Sequence, residues 1–366
     1  MKFTCNTVEL TNALSVAGRA LPSRPVLKAY ENILLTANDN GLNVTASDGT
    51  IRMNVSVYAS VDEPGEMALD GKLIGECVRK MNSAETTIET KGNTAIIRSG
   101  KCKTQMAVQD AENYPAQAKG KGKEVTVSIP GKPLKECIEY VQFAVSNDES
   151  RKILTGVLVE IADGKLLTVG LDGFRLAKRE VECGYCGEPV RVVLPKAGAL
   201  ELARLLTDDG ETELTLDDIS LTANVDNCRL TMATLTGEYI DYKRIIPNDS
   251  TTIAKIIADE LRACCERAQL MAKHGKNNLI RLDFHENYVG LSSNADVGDV
   301  YDEADCDLQG DGLKIAFNCG YLMDALKAES GNEIEIAMKS NVSACAIRNL
   351  GDEGTLQLVL PVREIR

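Results

Sequence analysis

Two places in this chain carry residues that could do covalent or metal chemistry. Cys183-Gly184-Tyr185-Cys186 has the spacing of half a zinc site or of a redox pair, and Cys264-Cys265 sets two thiols side by side. A structural zinc needs about four ligands, and no second CxxC and no nearby His completes the set. The motif also lacks the helix-opening context of a thioredoxin-type pair. It therefore reads as a turn between strands, and Cys264-Cys265, inside a helical pattern, as core packing. His274 and His285 stand in polar surroundings and read as surface residues. The chain contains no GxSxG elbow, no phosphate-cradling Gly-rich loop with a Lys-Ser/Thr pair and no dinucleotide fingerprint. Carboxylates are numerous but lie singly on strands and turns. The expectation is a protein without catalytic residues, metal site or cofactor. Its 12 cysteines are scattered from Cys5 to Cys345, and the opening, MKFTCNTVEL, reads as having no apolar leader. No run approaches the ~20 apolar residues of a membrane span. Reduced, mostly buried thiols in a cytoplasmic protein are expected.

The elements that would carry any site follow a repeating plan. Leu166–Ala177, LLTVGLDGFRLA, reads as a strand, a turn at Asp172-Gly173 and a strand leaving again. A related stretch, LNVTASDGTIRMNV, turns at Asp48-Gly49, 124 residues earlier. Helical periodicity marks Val8–Leu21 and Lys72–Met81, then Lys132–Phe143 and Lys196–Leu206, then Asp259–Ala272 and Tyr321–Ala328. The second helix of each pair begins near Lys72, Lys196 and Tyr321, steps of 124 and 125. Alternating runs between the helices read as strands and hairpins, with turns at Asp39-Asn40-Gly41, Asp163-Gly164 and near Glu286-Asn287. Two unrelated landmarks with one spacing imply an internal repeat. The fold class is α+β: three repeated domains, each with two helices packed on antiparallel sheets. The Gly/Lys-rich AQAKGKGKE (Ala116–Glu124) and the turn-rich IIPNDSTT (Ile245–Thr252) set the domains at residues 1–120, 121–248 and 249–366.

Charge is segregated between these elements. The six helices carry 11 Lys/Arg against 9 Asp/Glu, a net +2, whereas the rest of the chain carries −15 of the total −13. Ordinary solvated helix faces are one reading. The other is a surface facing phosphates on a protein whose acidic exterior discourages non-specific adhesion. Trp is absent and aromatics make up 4% of the chain, so the cores must be aliphatic.

MKFT at the start, Arg24-Pro25, SNDESRKILTGVLVE (Ser146–Glu160), LDGFRLA (Leu171–Ala177), DYKRIIP (Asp241–Pro247), FNCGYLMDAL (Phe317–Leu326) and LVLPVR (Leu358–Arg363) together resemble the bacterial DNA polymerase sliding clamp, the beta processivity subunit. The resemblance runs through the whole chain in collinear order. It implies a head-to-tail homodimer forming a closed ring, with helices lining the hole and sheets forming the outer wall. Such a ring encircles duplex DNA without reading its sequence and tethers the replicative polymerase, the clamp loader and other replication and repair proteins through short linear motifs. By the resemblance Arg24 contacts DNA, and Lys152 and Lys196 sit beside positions that do; the helix reading adds Arg79 and Lys80.

The resemblance further implies a peptide groove between the second and third repeats. Its walls would be Leu154, Gly173, Phe174, Arg175, Leu176, Ile240, Arg244, Ile245, Asn318, Tyr321, Ala344, Leu358, Leu360, Pro361, Val362 and Arg363, an apolar pocket with Arg175, Arg244 and Arg363 as polar anchors on its rim. Phe174, Leu171, Ile240 and Ala344 depart from the residues common in the family, which bears on partner preference. The turn after Asp172-Gly173 continues Phe174-Arg175-Leu176 where the first copy has Thr50-Ile51-Arg52; the divergent part is expected to be one groove wall. The dimer contact would join the first repeat of one chain to the third repeat of another. Basic Arg98, Lys101 and Lys103 with Met106 would meet Leu270, Met271 and the acidic Asp296, Asp299 and Asp302. Two other readings remain open at this point: a redox or metal protein centred on Cys183 and Cys186, and a repeat-built interaction module that does not bind DNA.

Overall fold

A computed structural model describes residues 1–363 except Asp110, Lys119 and Ser330; the closing Glu364-Ile365-Arg366 lies outside the described residues. Six α-helices occur among them: α1 (Thr7–Ala17), α2 (Gly71–Arg79), α3 (Gly131–Val141), α4 (Lys196–Leu205), α5 (Ala258–Ala272) and α6 (Cys319–Ala328). Each has a local cause. In α1, Asn6 Oδ1 accepts from the amides of Val8 (2.9 Å) and Glu9 (3.2 Å), and Leu10, Ala13, Leu14 and Ala17 form the buried stripe. Asp70 caps α2 through the Leu73 amide, and Asn318 caps α6 through Gly320 and Tyr321. The expected helix Val8–Leu21 stops at Ala17, because the chain tightens into a 3₁₀ turn at Gly18–Ala20. Likewise α3 ends at Val141 and a 3₁₀ turn covers Gln142–Ala144.

The order strand, helix, hairpin, strands, helix, three strands recurs three times along the chain. The compact units nevertheless cut across the repeats. One comprises Met1–Lys132 with Ala197–Thr234, the other Pro133–Lys196 with Leu235–Arg366.

In the first unit an eight-stranded antiparallel sheet runs in the order Val125–Pro130, Glu211–Leu216, Ser220–Val225, Cys228–Ala233, Ile51–Val57, Gly41–Ser47, Asn32–Asn38, Gly65–Asp70. Its middle seam joins strands from two repeats, Leu230 opposite Met53 and Thr231 opposite Arg52. A five-stranded sheet, Ala59–Glu63, Lys2–Asn6, Glu85–Lys91, Thr94–Ser99, Cys102–Ala107, completes the unit. Helices α1 and α2 pack on each other, and α1 on strand Ile51–Val57.

The second unit repeats the arrangement. Its nine-stranded sheet runs Val190–Pro195, Gly156–Ala162, Lys165–Leu171, Arg175–Glu182, Asp352–Val359, Cys345–Asn349, Glu333–Met338, Thr252–Ile257, Asp307–Gly310. The seam is Arg175–Glu182 against Asp352–Val359, with Leu176 opposite Leu358. A four-stranded sheet follows the order Gly298–Asp305, Tyr288–Ala295, Leu279–Phe284, Lys314–Asn318. The core under α5 and α6 is aliphatic with Phe284 and Phe317 at its centre, and Cys264, Cys265, Cys319 and Cys345 pack there as small hydrophobes.

The strands Ala59–Glu63, Gly65–Asp70, Val190–Pro195, Gly298–Asp305, Asp307–Gly310 and Lys314–Asn318 are not marked by the sequence pattern. Gly298–Asp305 (GDVYDEAD) is acidic and half exposed, and Pro195 closes a strand as well as preceding a helix. Such segments become strands through the neighbour they pair with, not through their own periodicity.

Helix α3 seats on the second unit through a close backbone approach. The Thr168 hydroxyl donates to the Cys137 carbonyl (2.9 Å), and a Cβ on Gly170 would stand 2.4 Å from the Val141 carbonyl oxygen. Gly170→Ala should therefore destabilise the protein by about 1–3 kcal/mol through overpacking. A lowered urea midpoint by circular dichroism is the expected result, and an unchanged midpoint would refute the close approach.

Candidate functional site

The turn Asp172-Gly173-Phe174 builds the site from its backbone outward. Asp172 Oδ1 accepts from the amides of Phe174 (2.8 Å) and Arg175 (3.0 Å), closing the turn as an Asx motif. Gly173 takes a positive φ of 95°, a conformation that disfavours any side chain. The turn is then locked by Arg175. Its Nε donates to Asp172 Oδ2 (3.1 Å), Nη1 to Asp324 Oδ2 (2.6 Å) and Nη2 to the Phe143 carbonyl (2.8 Å). The guanidinium lies over the rings of Phe143 and Tyr321, 5.3 Å and 4.6 Å from their centroids. Arg175 was expected as a rim anchor. With its side chain 13% exposed and engaged on every side, it is a brace that fixes the wall.

The wall so fixed encloses a small apolar pocket of about 60 Å³ at the end of the nine-stranded sheet. Leu171, Gly173, Phe174, Arg175, Leu176, Ile245, Ala344, Leu358 and Leu360 line it. The register explains why they meet. Leu171 pairs with Leu176 and Leu176 with Leu358, and the Leu360 amide extends the ladder to the Phe174 carbonyl (2.8 Å). Phe174 stands 56% exposed at the mouth, stacked on Tyr321 with ring centroids 5.9 Å apart. Leu171, which the resemblance marks only as a departure bearing on partner preference, is a wall residue; it alternates with Val169 on one strand face.

Other expected groove residues are not part of this pocket's lining. Leu154 is fully buried in the core beneath. Asn318 caps α6 and donates to the Asn277 carbonyl. Ile240 is exposed, and Arg244 is 87% exposed and paired with Asp241 at 2.8 Å. The Val362 amide donates to the Ala316 carbonyl, which tethers Pro361 and Arg363 at the end of the described chain. Leu176 is itself core, so the exposed Phe174 is the cleaner probe of the pocket.

Strand Asp352–Val359 has two faces. Leu358 faces the pocket, whereas Thr355 lines a separate polar cleft with Tyr140, Arg179, Glu329 and Asp352. There the Tyr140 hydroxyl donates to Glu329, and burial raises the Glu329 carboxyl above the usual range, opposed by Tyr140 and Arg179.

The expected DNA residues are mostly on the surface. Arg24 lies in the loop after α1; Arg79 and Lys80 end α2; Lys152 lies in the 3₁₀ segment Glu149–Thr155; all four are exposed. Lys196, the first residue of α4, is half-buried. Burial and the neighbouring Arg175 lower its pKa, while Asp324 opposes them.

The residues expected at a dimer contact lie on two sheet edges. Lys103 and Met106 are on Cys102–Ala107, the outer strand of the five-stranded sheet, with Lys101 just before it. Arg98, on the next strand, donates to Glu89 at 2.6 Å. Asp299 and Asp302 are on Gly298–Asp305, the outer strand of the four-stranded sheet, with Asp296 just before it. Asp302 pairs with Arg267, and Leu270 is exposed and Met271 half-buried at the end of α5.

The thiol motif is a turn. The amides of Cys183 and Gly184 both donate to the Gly164 carbonyl, and the Gly164 amide returns to Tyr185. Cys183 is buried and Cys186 exposed, both as free thiols. Among the described residues no three His, Cys, Asp or Glu side chains are placed to hold a metal ion. Both histidines are exposed, His285 stacked on Tyr288.

Arg175→Lys keeps the charge but loses the planar fork, so it should cost about 1.5–3 kcal/mol and speed hydrogen exchange at Phe174 and Leu176. Unchanged stability and exchange would show that Arg175 does not brace the wall.

Comparison with known proteins places this geometry. The family model of the N-terminal domain of the DNA polymerase III beta subunit matches residues 1–118, that of the central domain residues 128–241 and that of the C-terminal domain residues 243–363. The beta sliding clamp of Bacillus subtilis (strain 168) is 30% identical over 377 residues, covering 99% of this chain and 100% of that protein. The beta sliding clamp of Staphylococcus aureus (strain Mu50) is 28% identical over 375 residues, 99% of each. The crystal structure of the DNA polymerase sliding clamp from Bacillus subtilis matches with a TM-score of 0.95 at 29% identity over 100% of both chains. The chain belongs, over its whole length and in domain order, to the DNA polymerase III beta subunits, the beta sliding clamps.

Proposed function

We propose that two copies of this chain close head to tail into a ring that encircles duplex DNA, and that the pocket at Phe174 tethers the replicative polymerase and other replication and repair proteins. Membership of the family along the entire chain carries this reading. In it the protein is a topological tether in the cytoplasm with no chemical step of its own. Contacts to phosphates need only be weak and salt-screened, because enclosure rather than affinity retains the ring. Arg24, Arg79, Lys80, Lys152 and Lys196 are the proposed phosphate-facing cations.

Closure is supported by the two open sheet edges. Among the described residues Cys102–Ala107 and Gly298–Asp305 each pair on one side only, which leaves backbone groups for another strand. The first edge carries Lys101 and Lys103, the second Asp296, Asp299 and Asp302, so unlike edges attract and like edges repel. Leu270, Val297 and Tyr301, each more than 60% exposed, lie on α5 and on or beside the acidic strand packed against it. Exposed large hydrophobics at an open edge are what an obligate interface would cover. Leu270→Glu should shift the mass measured by light scattering from two chains to one; an unshifted mass refutes this edge.

Two measurements test function. The protein loaded on a circular duplex should stay bound in high salt and be released when the circle is cut; retention on linear DNA overturns the ring. A fluorescein-labelled hexapeptide rich in Leu and Phe should bind at least about fivefold more weakly to Phe174→Ala, with the dimer mass unchanged. Equal affinity would remove the pocket as the docking site.

A further inference from the structure

The strand registers locate a second pocket at the equivalent place in the first unit. The turn at Asp48 repeats the turn at Asp172: Asp48 Oδ1 accepts from the amides of Thr50 and Ile51, both at 2.7 Å. Ser47 pairs with Arg52 as Leu171 pairs with Leu176, and Arg52 pairs with Thr231 as Leu176 pairs with Leu358. The Ala233 amide donates to the Thr50 carbonyl (2.9 Å) as Leu360 does to Phe174. A cavity of about 210 Å³ opens there.

Its chemistry is the inverse of the groove's. Where the groove has Leu171, Leu176, Leu358 and Phe174, this cavity has Ser47, Arg52, Thr231 and Thr50. Among the described residues Arg52 is the one charged residue on its walls, in a chain of net charge −13. The guanidinium donates through Nη1 to the Pro115 carbonyl (2.7 Å) and lies over the Tyr114 ring at 5.5 Å. Among the described residues these are its contacts, and none is a carboxylate. The nearby carboxylates serve their own turns: Asp48 as above, and Asp217 through the amides of Ile219, Ser220 and Gly120. Tyr30 and Gln117 add a hydroxyl and an amide to the lining. A half-buried, carboxylate-free Arg among polar groups favours a carboxylate, which a planar guanidinium can hold with two parallel bonds. At about 210 Å³ against about 60 Å³, it has room for a larger side chain than the leucine-walled groove.

We infer that this cavity is a second docking site, taking an acidic peptide segment of a partner protein while the groove takes an apolar one. The inference rests on reading the Phe174 pocket as a docking site, since the equivalence of the two places carries it. One protomer would then hold two partners, or two segments of one partner, by different chemistry, and neither ligand would compete for the other's pocket.

The probe is a fluorescein-labelled acetyl-Gly-Glu-Asp-Glu-Gly amide, titrated into the intact protein alongside its Gln/Asn counterpart and the apolar hexapeptide. Saturable binding of the acidic peptide but not of its Gln/Asn counterpart is expected, with hydrogen-exchange protection around residues 47–52 and 114–118. Arg52→Gln should weaken it about tenfold through the lost charged contact. Because Arg52→Gln also frees Tyr114 and Pro115, Ala233→Phe serves as a second variant: it fills the cavity, keeps Arg52 and should weaken binding comparably. Phe174→Ala should leave the acidic peptide unaffected. No saturable binding, equal binding of the neutral peptide, or full affinity in Ala233→Phe overturns the inference. Loss of acidic binding in Phe174→Ala places the peptide in the groove and overturns it too. Failure of the apolar peptide on the unaltered protein, with acidic binding intact, instead removes the groove reading alone.

Discussion

The pairing of Arg175–Glu182 with Asp352–Val359 is the constraint on which the second unit depends. A strand left at a sheet edge exposes a row of unpaired donors and acceptors. Here the edge of the second repeat is closed by the edge of the third, in a register that puts Leu176 against Leu358. The same solution appears in the first unit, where Cys228–Ala233 closes on Ile51–Val57. Compactness therefore follows the seams and not the repeats, and each repeat is completed by its neighbour. Among the strands left at an edge are Cys102–Ala107 in the five-stranded sheet and Gly298–Asp305 in the four-stranded one. Those two edges carry opposite charge, which is the basis for proposing closure between copies.

Each seam makes a pocket at the end where the strands splay around a tight turn. The backbone of that turn is conserved between copies by physics: an Asp accepting two amides, then a Gly with positive φ. The side chains after the Gly differ between the copies, and they line the pocket at each place. In the second unit they became Phe174, a braced Arg175 and Leu176. In the first unit they are Thr50, Ile51 and Arg52. One scaffold thus supports an apolar and a polar recess. Function here resides in which residue occupies each repeated place, while the fold is indifferent to the choice.

Arg175 illustrates how such a wall is made rigid. An isolated Arg at a pocket rim would offer its fork to a ligand. This one satisfies Asp172, Asp324 and the Phe143 carbonyl and stacks on two rings, so its role is to position Phe174 and Tyr321. Holding the aromatic mouth in place before a partner arrives lowers the ordering cost of binding.

Much of this was legible in the residues themselves. Helix positions follow from 3.6-residue periodicity, the turns from Asp-Gly, and the threefold plan from a 124-residue interval that two unrelated landmarks share. These are local or self-similar signals, and a chain carries them whether or not it is folded. The resemblance added the family and a set of candidate groove residues. Tertiary structure alone decided which of those candidates meet. Leu171 joins the wall because strand register pairs it with Leu176, whereas Leu154, in the 3₁₀ segment Glu149–Thr155, packs in the core behind. Acidic strands such as Gly298–Asp305 have no apolar period and become strands only through their partners. The role of Arg175, from rim anchor to brace, was fixed by Asp324 and Phe143, 149 and 32 residues away in sequence, and no local pattern encodes such a meeting.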